Sequence, residues 1–401
     1  MADRVLLGVT GCIAAYKAAG LVRALQKLRE DVSVKVLMTP AAENFVGAAT
    51  FRALTGKKVS TGMFGDEASA IPHIAFSQNT DVYAIAPCTA NTLAKLAAGA
   101  ADNLVCAAAL ATDAPLVVAP AMNTRMWEHP AAQANVACLR ERGAFVVEPD
   151  AGGLACGTQG AGRFPEPDAL ARAVMAVLDT GGERDLAGKH LLVTAGPTRE
   201  PFDSVRFMSN AASGKTGYLL AEQAHLRGAR VTLVSGPCAL ADPAGVETVR
   251  VGTAAEMLKA CEGPFEDADA AVFTAAVGDW RAWSTFKGKM KNDGDDMQLR
   301  LVPNTDIAAT LGKRKGSAFC VAFAAETGDP RKAAREKLAA KHADMVVAND
   351  VAEDGCGPGA DDNHVWLVTS DEERELPRRS KFELAADLLD VVAAALARKR
   401  E

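Results

Sequence analysis

Three side chains in the first half of the chain are equipped to move a proton or hold a polar substrate: His73 in Ile71-Pro72-His73-Ile74, Asn123 in Pro120-Ala121-Met122-Asn123, and Cys156 in Leu154-Ala155-Cys156-Gly157. Each alone has an ordinary structural reading, because a lone histidine is more often a satisfied, partly buried side chain and a cysteine a small hydrophobe. Together they outline a site. Asn123 follows the apolar run at residues 116–119, and in open α/β sheets ligands bind where strands end. Cys156 lies among five glycines, Gly152, Gly153, Gly157, Gly160 and Gly162, the composition of a mobile lid, and a lid carrying a thiol can donate a proton.

Other segments have the chemistry of anion binding. Gly8-Val9-Thr10-Gly11-Cys12 follows a strand and opens a helix, where small residues let backbone amides approach a phosphate. Gly8 and Gly11 are two residues apart, so the dinucleotide fingerprint fails and a mononucleotide phosphate fits at least as well, beside the plain reading of a strand–helix turn. Pro87-Cys88-Thr89-Ala90-Asn91 supplies a hydroxyl and an amide after the strand at 82–86, or simply caps a helix. In the second half, Ala195-Gly196-Pro197-Thr198-Arg199-Glu200-Pro201 also follows a strand. The loop at 209–216, Ser-Asn-Ala-Ala-Ser-Gly-Lys-Thr, ends like a P-loop, but its first glycine position is Ser209, which excludes a Walker A site. Backbone amides with Lys215 could still bind phosphate there. Asp279 follows the strand at 270–274, and Lys287, Lys289 and Lys291 alternate beyond it. Alternate lysines are usually a solvated face; beside a phosphate loop they could neutralise a triphosphate, with Asp279 placed for a base, ribose or metal.

These residues need two sets of strands to position them. Short β-rich runs at 5–9, 32–38, 82–86, 116–119 and 145–147 alternate with Ala/Leu-rich segments, beginning with a helix at 14–28, and the pattern predicts a parallel sheet. An amphipathic stretch at 168–178 reads as a terminal helix, and the polar, Gly-paired segment after it marks a boundary. Alternation resumes at 191–194, with a helix at 217–227 and strands at 231–234, 270–274, 319–322, 345–348 and 365–368. The fold class is therefore α/β, with two doubly wound, Rossmann-like parallel-sheet domains, at 1–179 and 189–401, joined by a linker at 180–188. A length of 401 residues with 49% hydrophobic content supports two cores. The net charge of −6, without basic blocks, argues against nucleic acid. No run of 18 purely apolar residues occurs, and no leader pattern opens the chain, so a cytoplasmic protein without membrane association is expected. Nine cysteines without a Cys-x-x-Cys pair point to reduced thiols rather than disulfides or a zinc ribbon.

The Pro-Ala-Met-Asn element, the Ala-Cys-Gly flap, the Ala-Gly-Pro-Thr-Arg-Glu-Pro run, the Ser-Asn-x-x-Ser-Gly-Lys loop, Phe323-Ala324-Ala325-Glu326-Thr327 and Ala348-Asn349-Asp350 occur in this order. In that set the whole chain resembles the bifunctional phosphopantothenoylcysteine decarboxylase / phosphopantothenate–cysteine ligase family of bacterial coenzyme A synthesis. The resemblance implies that the first domain holds FMN through Thr10, Gly11, Cys12, Thr39, Pro87, Cys88, Thr89 and Asn91. By the same resemblance His73 is the catalytic base, Asn123 holds the substrate carboxylate with Met122 and Ala155 beside it, and Cys156 returns a proton to an enethiolate. The second domain is implied to activate 4'-phosphopantothenate with CTP and Mg²⁺ as an acyl-cytidylate, which the amine of cysteine then attacks. Its CTP site is implied to comprise Phe273, Thr274, Ala275, Asp279, Lys289, Thr305, Asp306, Ile307, Ala308, Phe323, Lys337 and Lys341. Asp279 is the implied Mg²⁺ ligand, and Asn210 acts on the acyl-cytidylate. A homo-oligomer is implied too: decarboxylase trimers joined through ligase dimers into a dodecamer.

The chain departs from the family pattern in three places. Gly11-Cys12-Ile13-Ala14 stands where Gly-Gly-Ile-Ala is common, and a side chain at position 12 is acceptable only if that residue does not need positive φ. Lys289-Met290-Lys291-Asn292 lacks the last cation of Lys-x-Lys-Lys. Trp280 and Trp283 replace smaller or phenolic residues. Two other readings are a decarboxylase with a degenerate ligase half, opposed by the intact Lys289 and Asp279, and a regulatory flavin-binding module, opposed by His73.

Overall fold

Strand Val82–Cys88 is buried at all seven positions, as expected of an apolar run covered by helices on both faces of a parallel sheet. The computed structural model describes residues 3–63, 71–154, 157–292, 294 and 296–399, and the chain divides into two compact units, Met1–Glu183 and Arg184–Glu401.

In unit 1, strands β1 (Arg4–Val9), β2 (Ser33–Met38), β3 (Val82–Cys88), β4 (Leu116–Pro120) and β5 (Phe145–Val146) form a parallel sheet in the order β2-β1-β3-β4-β5. Helix Lys17–Leu28 buries Ala18, Leu21, Val22, Ala24 and Leu25, an apolar stripe of helical period, and packs chiefly against helix Pro167–Asp179. The helix begins later than residue 14. Residues Ile13–Tyr16 first make a tighter 3₁₀ turn, started by the Ala15 N–H donating to the Cys12 carbonyl at 2.9 Å. The glycine-rich stretch read as a lid is a two-stranded antiparallel flap, β6 (Asp150–Gly153) with β7 (Gln159–Arg163).

Unit 2 contains β8 (His190–Ala195), β9 (Arg199–Pro201), β10 (Phe207–Ser209), β11 (Arg230–Ser235), β12 (Glu247–Arg250) and β13 (Ala270–Phe273). After them come β14 (Trp280–Ala282), β15 (Leu301–Pro303), β16 (Phe319–Glu326), β17 (Met345–Asp350), β18 (Asp362–Val368) and β19 (Glu373–Ser380). Eight of these make one sheet in the order β12-β11-β8-β13-β16-β17-β18-β19. The first six are parallel. β18 corrects the sequence reading, which placed residues 365–368 in the parallel series: it runs antiparallel to β17, and β19 antiparallel to it. No helix separates β17 from β18, and without a crossover helix a returning strand cannot pair in parallel. Two small antiparallel pairs, β9 with β10 and β14 with β15, stand apart from the main sheet. Among the described residues no helix is long and apolar enough to cross a membrane.

Candidate functional site

The strand order of unit 1 reverses direction between β1 and β3, and in a doubly wound sheet the crevice beyond the carboxyl ends of two such strands is where ligands bind. Thr10, immediately after β1, joins the two loops that flank this crevice. Its hydroxyl donates to the Pro87 carbonyl (2.7 Å) and accepts the Thr89 N–H (3.0 Å). Gly11 passes so close to the neighbouring turn that a β-carbon there would lie 2.5 Å from the Ala41 β-carbon. Cys12 has φ −146° and ψ 170°, an extended backbone that any residue adopts, so the departure from glycine is accommodated without strain; burial pushes its thiol pKa up. Thr39 follows β2, and its hydroxyl oxygen is buried with no hydrogen-bond partner among the described residues. Such an orphan is costly unless a ligand satisfies it. Thr89 caps helix Ala90–Ala98 through the Thr92 N–H, and Asn91 is exposed in its first turn. Cys88 is fully buried in the core, and burial drives its thiol pKa far up. This position therefore offers a ligand its backbone and not its sulfur.

At the end of β4, Asn123 caps the short helix Thr124–Trp127, its side-chain oxygen accepting the Arg125 N–H at 2.9 Å. Its amide nitrogen donates to Thr158 Oγ1, in the flap, at 3.5 Å. The flap is seated on the same turn, since the Met122 N–H donates to the Gly162 carbonyl at 3.0 Å. The structure thus brings Met122 and Asn123 to the base of the flap. Ala155 and Cys156 at its tip lie outside the described residues. His73 is the second residue of helix Pro72–Ser77 and half-buried.

In unit 2 the order reverses between β8 and β13. The loops leaving these strands are laced together: the Ala276 N–H donates to the Gly196 carbonyl (3.0 Å) and the Thr198 N–H to the Ala276 carbonyl (3.3 Å). Threonine hydroxyls continue the lacing, Thr274 donating to the Thr194 carbonyl at 2.6 Å and Thr198 accepting the Gly278 N–H at 2.9 Å. Asn210 in the 209–216 loop donates its amide to the Ala276 and Val277 carbonyls, at 3.2 and 3.1 Å. Its nitrogen therefore anchors the loop that carries Asp279, an exposed residue whose carbonyl accepts the Asn304 N–H at 2.8 Å. Phe273 closes β13, and Phe323 on β16 lies one register step beyond the Phe273–Ala322 pair, half-buried.

The cations of this half differ in their commitments. Lys341 pairs with Asp306 at 2.8 Å, and Asp306 also caps helix Ile307–Gly312, which begins with the buried Ile307 and Ala308 after the exposed Thr305. Burial would raise the Asp306 pKa, but the Ala309 N–H and Lys341 outweigh it and hold the group below its ordinary value. Lys337 is paired with Glu326. Lys215, read as a phosphate-loop cation, pairs with Asp361 at 2.5 Å. Lys287, Lys289 and Lys291 are exposed. Sequence reasoning missed Asp203, whose carboxylate is buried in the turn between β9 and β10 and accepts the Met290 N–H at 3.2 Å. Its signal was the Asp-Ser-Val-Arg tetrapeptide, a pattern for a side chain bonded to its own backbone two residues on. Among the described residues no three His, Cys, Asp or Glu side chains cluster as a metal site.

Two doubly wound sheets, each with its polar loops gathered at the switch point, define a flavoprotein-type domain followed by a second domain of nucleotide-binding topology. Family models agree: Flavoprotein matches residues 2–179, and the DNA/pantothenate metabolism flavoprotein C-terminal domain matches residues 186–396. The coenzyme A biosynthesis bifunctional protein CoaBC of Bacillus subtilis (strain 168) is 42% identical over 97% of this chain and 96% of its own length. CoaBC of Mycobacterium tuberculosis (strain ATCC 25618 / H37Rv) is 42% identical over 98% of this chain and 97% of its own, and CoaBC of Vibrio vulnificus (strain CMCP6) 40% identical over 96% of each. The chain belongs to the family of bifunctional CoaBC proteins of coenzyme A biosynthesis.

Proposed function

We propose that this chain carries out two consecutive steps of coenzyme A synthesis, joining 4'-phosphopantothenate to cysteine in unit 2 and decarboxylating the product to 4'-phosphopantetheine in unit 1. The observation that carries the reading is the crevice at the β1/β3 switch point, where Thr10 binds the 87–91 loop beside the Gly11 turn and the buried Thr39 hydroxyl awaits a partner.

These residues fit FMN: Thr10, Gly11, Cys12 and the 87–91 loop around its phosphate and ribityl chain, with Thr39 supplying a hydroxyl. A flavin held there would supply the two-electron oxidation of the substrate's thiol to a thioaldehyde, which accepts the electron pair left behind as carbon dioxide departs, and would return the two electrons afterwards. His73 takes the proton released in the oxidation, a task suited to a neutral imidazole near pH 7. Asn123 orients the carboxylate through its amide, next to Met122 and Ala155, and Cys156 gives back a proton during the reduction. The flap that carries Cys156 shields the enethiolate from solvent until that proton is delivered.

In unit 2 CTP occupies the β8/β13 crevice, along Phe273–Ala275 and Phe323, with Asp279, residues 305–308, Lys337 and Lys341 at its edges. Asp279 would hold the Mg²⁺ that accompanies the nucleotide, since magnesium typically takes one or two carboxylates from the protein. Lys289 stabilises charge on the phosphates as the substrate carboxylate displaces pyrophosphate. Asn210 fixes the loop against which the acyl-cytidylate meets the amine of cysteine. The eight described cysteines are free thiols, suited to a reducing cytoplasm. The protein works as a homo-oligomer, with trimers of unit 1 and dimers of unit 2 combined in a dodecamer, a reading supported by the exposed Ile13, Tyr16 and Leu110 in one unit and Trp280, Trp283 and Phe286 in the other.

The test mixes purified protein with phosphopantothenate, cysteine, CTP and Mg²⁺ and follows CMP, pyrophosphate and phosphopantetheine by mass spectrometry. All three should appear. His73→Asn should stop the sequence at phosphopantothenoylcysteine while the protein stays yellow, and Lys289→Gln should suppress pyrophosphate release. Continued decarboxylation by His73→Asn would remove His73 as the base.

A further inference from the structure

Asp203 is 2% exposed although it belongs to a surface turn, and its two oxygens have different tasks. Oδ1 accepts the N–H groups of Val205 (2.7 Å) and Arg206 (2.6 Å), which closes the turn on itself. Oδ2 reaches across to another part of the chain, accepting the Met290 N–H at 3.2 Å, with the Arg206 guanidinium 3.4 Å away. That guanidinium also donates to the Met290 carbonyl at 3.3 Å. The same turn holds the preceding residues, for the Phe286 N–H donates to the Phe202 carbonyl at 2.9 Å and the Ser204 N–H to the Gly288 carbonyl at 3.3 Å. The main-chain attachments fall at Phe286, Gly288 and Met290, every second residue; Lys287 and Lys289 lie between them and Lys291 follows, all three exposed. Burial alone would raise the Asp203 pKa, but the N–H groups of Val205, Arg206 and Met290 and the Arg206 charge outweigh it and hold the carboxyl ionised below its ordinary value.

We propose that Asp203 is a positioning residue whose buried carboxylate fixes the lysine-bearing strap at Met290 and thereby sets where Lys289 stands when the nucleotide is activated. The proposal rests on the ligase reading above. An exposed lysine on an untethered strap would have to be ordered in each catalytic cycle, and misplacement of about 1 Å can cost a hundredfold in rate. Asp203 pre-orders it from outside the reaction.

Asp203→Asn separates the two tasks of the carboxylate. An amide whose oxygen keeps the Val205 and Arg206 bonds turns its NH₂ toward the Met290 N–H, donor against donor, so the turn survives while the strap loses its attachment at the Met290 N–H. In the full chain, limited trypsin digestion should then cut after Lys289 or Lys291 roughly tenfold faster, the factor set by losing one hydrogen bond to a charged group. CTP-dependent pyrophosphate release should fall at least tenfold, chiefly in kcat, while carbon dioxide release from phosphopantothenoylcysteine by unit 1 is unchanged. In the Lys289→Gln background Asp203→Asn should slow pyrophosphate release no further, whereas a general structural defect would add its own loss. Met290→Pro, which deletes the strap's N–H and leaves Asp203 in place, should reproduce the fall in pyrophosphate release even where Asp203→Asn folds poorly. Unchanged trypsin cleavage in Asp203→Asn overturns the tether. Faster cleavage with unchanged pyrophosphate release overturns the positioning role if Lys289→Gln is impaired; if Lys289→Gln is also active, it is the ligase reading of Lys289 that fails.

Discussion

A β-carbon on Gly162 would lie 2.3 Å from the carbonyl oxygen of Met122. Gly162 also has φ 130°, a conformation L side chains rarely adopt, so its strand can approach the Met122-Asn123 turn only as glycine. The flap is seated by this contact. Gly162→Ala should unseat it and reduce decarboxylation more than tenfold, through strain and displacement of roughly 1–3 kcal/mol, while pyrophosphate release from unit 2 is unaffected. Wild-type carbon dioxide release by Gly162→Ala would show that flap seating has no part in the reaction.

Thr10 is 1% exposed and serves the Pro87 carbonyl and the Thr89 N–H at once. Thr10→Val keeps the shape and removes both side-chain bonds; the Pro87 carbonyl retains the Thr10 N–H at 3.3 Å, but the Thr89 N–H is left without a partner, at a cost of about 1–3 kcal/mol. Flavin should then separate from the protein on gel filtration, and the thermal midpoint of unit 1 should fall. Thr10→Ser, which keeps the hydroxyl, should retain the yellow colour. Tight flavin binding by the valine variant would mean that the two loops hold their places without the stitch.

Arg227 is buried between Asp185 and Asp390, its side chain 5% exposed, with 2.7 Å to Asp390. Arg227→Ala deletes a buried side chain together with its hydrogen bonds to Asp185, Asp390 and the Ala386 carbonyl, while the carboxylates left behind reach solvent, so unit 2 should be destabilised by roughly 1–3 kcal/mol. Urea denaturation followed by the fluorescence of Trp280, Trp283 and Trp366 reads this directly. A midpoint equal to wild type would demote the cluster to a solvated pair.

His364 lies between two carboxylates, Nδ1 2.8 Å from Glu353 and Nε2 2.9 Å from Glu375. Burial lowers its pKa, but the hydrogen bonds and charges of Glu353 and Glu375 outweigh this and raise it above the ordinary 6.5. A raised folded-state value means that the imidazolium's stabilisation is complete below pH about 6.5 and lost as the pH climbs through the folded pKa. Between pH 6 and 9 the thermal midpoint of unit 2 should therefore drop by the order of 2 °C more in the wild type than in His364→Gln. Identical pH profiles for the two proteins would exclude the linkage.

Much of the architecture was legible because the signals are local. Aliphatic runs such as Val82–Cys88 and His190–Ala195 are buried along their whole length, and the turn residues beyond β1, β3, β4 and β8 already marked where those strands end. Local signals failed where a longer-range choice intervened. Residues 365–368 have the composition of any strand, and only the absence of a helix before them decides their direction. Cys88 falls in a loop expected to hold a ligand, and only the β3 register shows that its side chain is buried in the core.

The amino-acid sequence by itself determined two α/β domains and the placement of Asn123, Asn210 and Asp279 at or near strand ends, since period and turn chemistry act over a few residues. Tertiary structure alone decided that Thr10 reaches Pro87, that Lys341 is spent on Asp306 while Lys289 stays exposed, and that Asp203 receives an N–H from a residue 87 positions away. Such pairings depend on which strands become neighbours. That order is set by burying whole sheet faces at once, and no local segment encodes it.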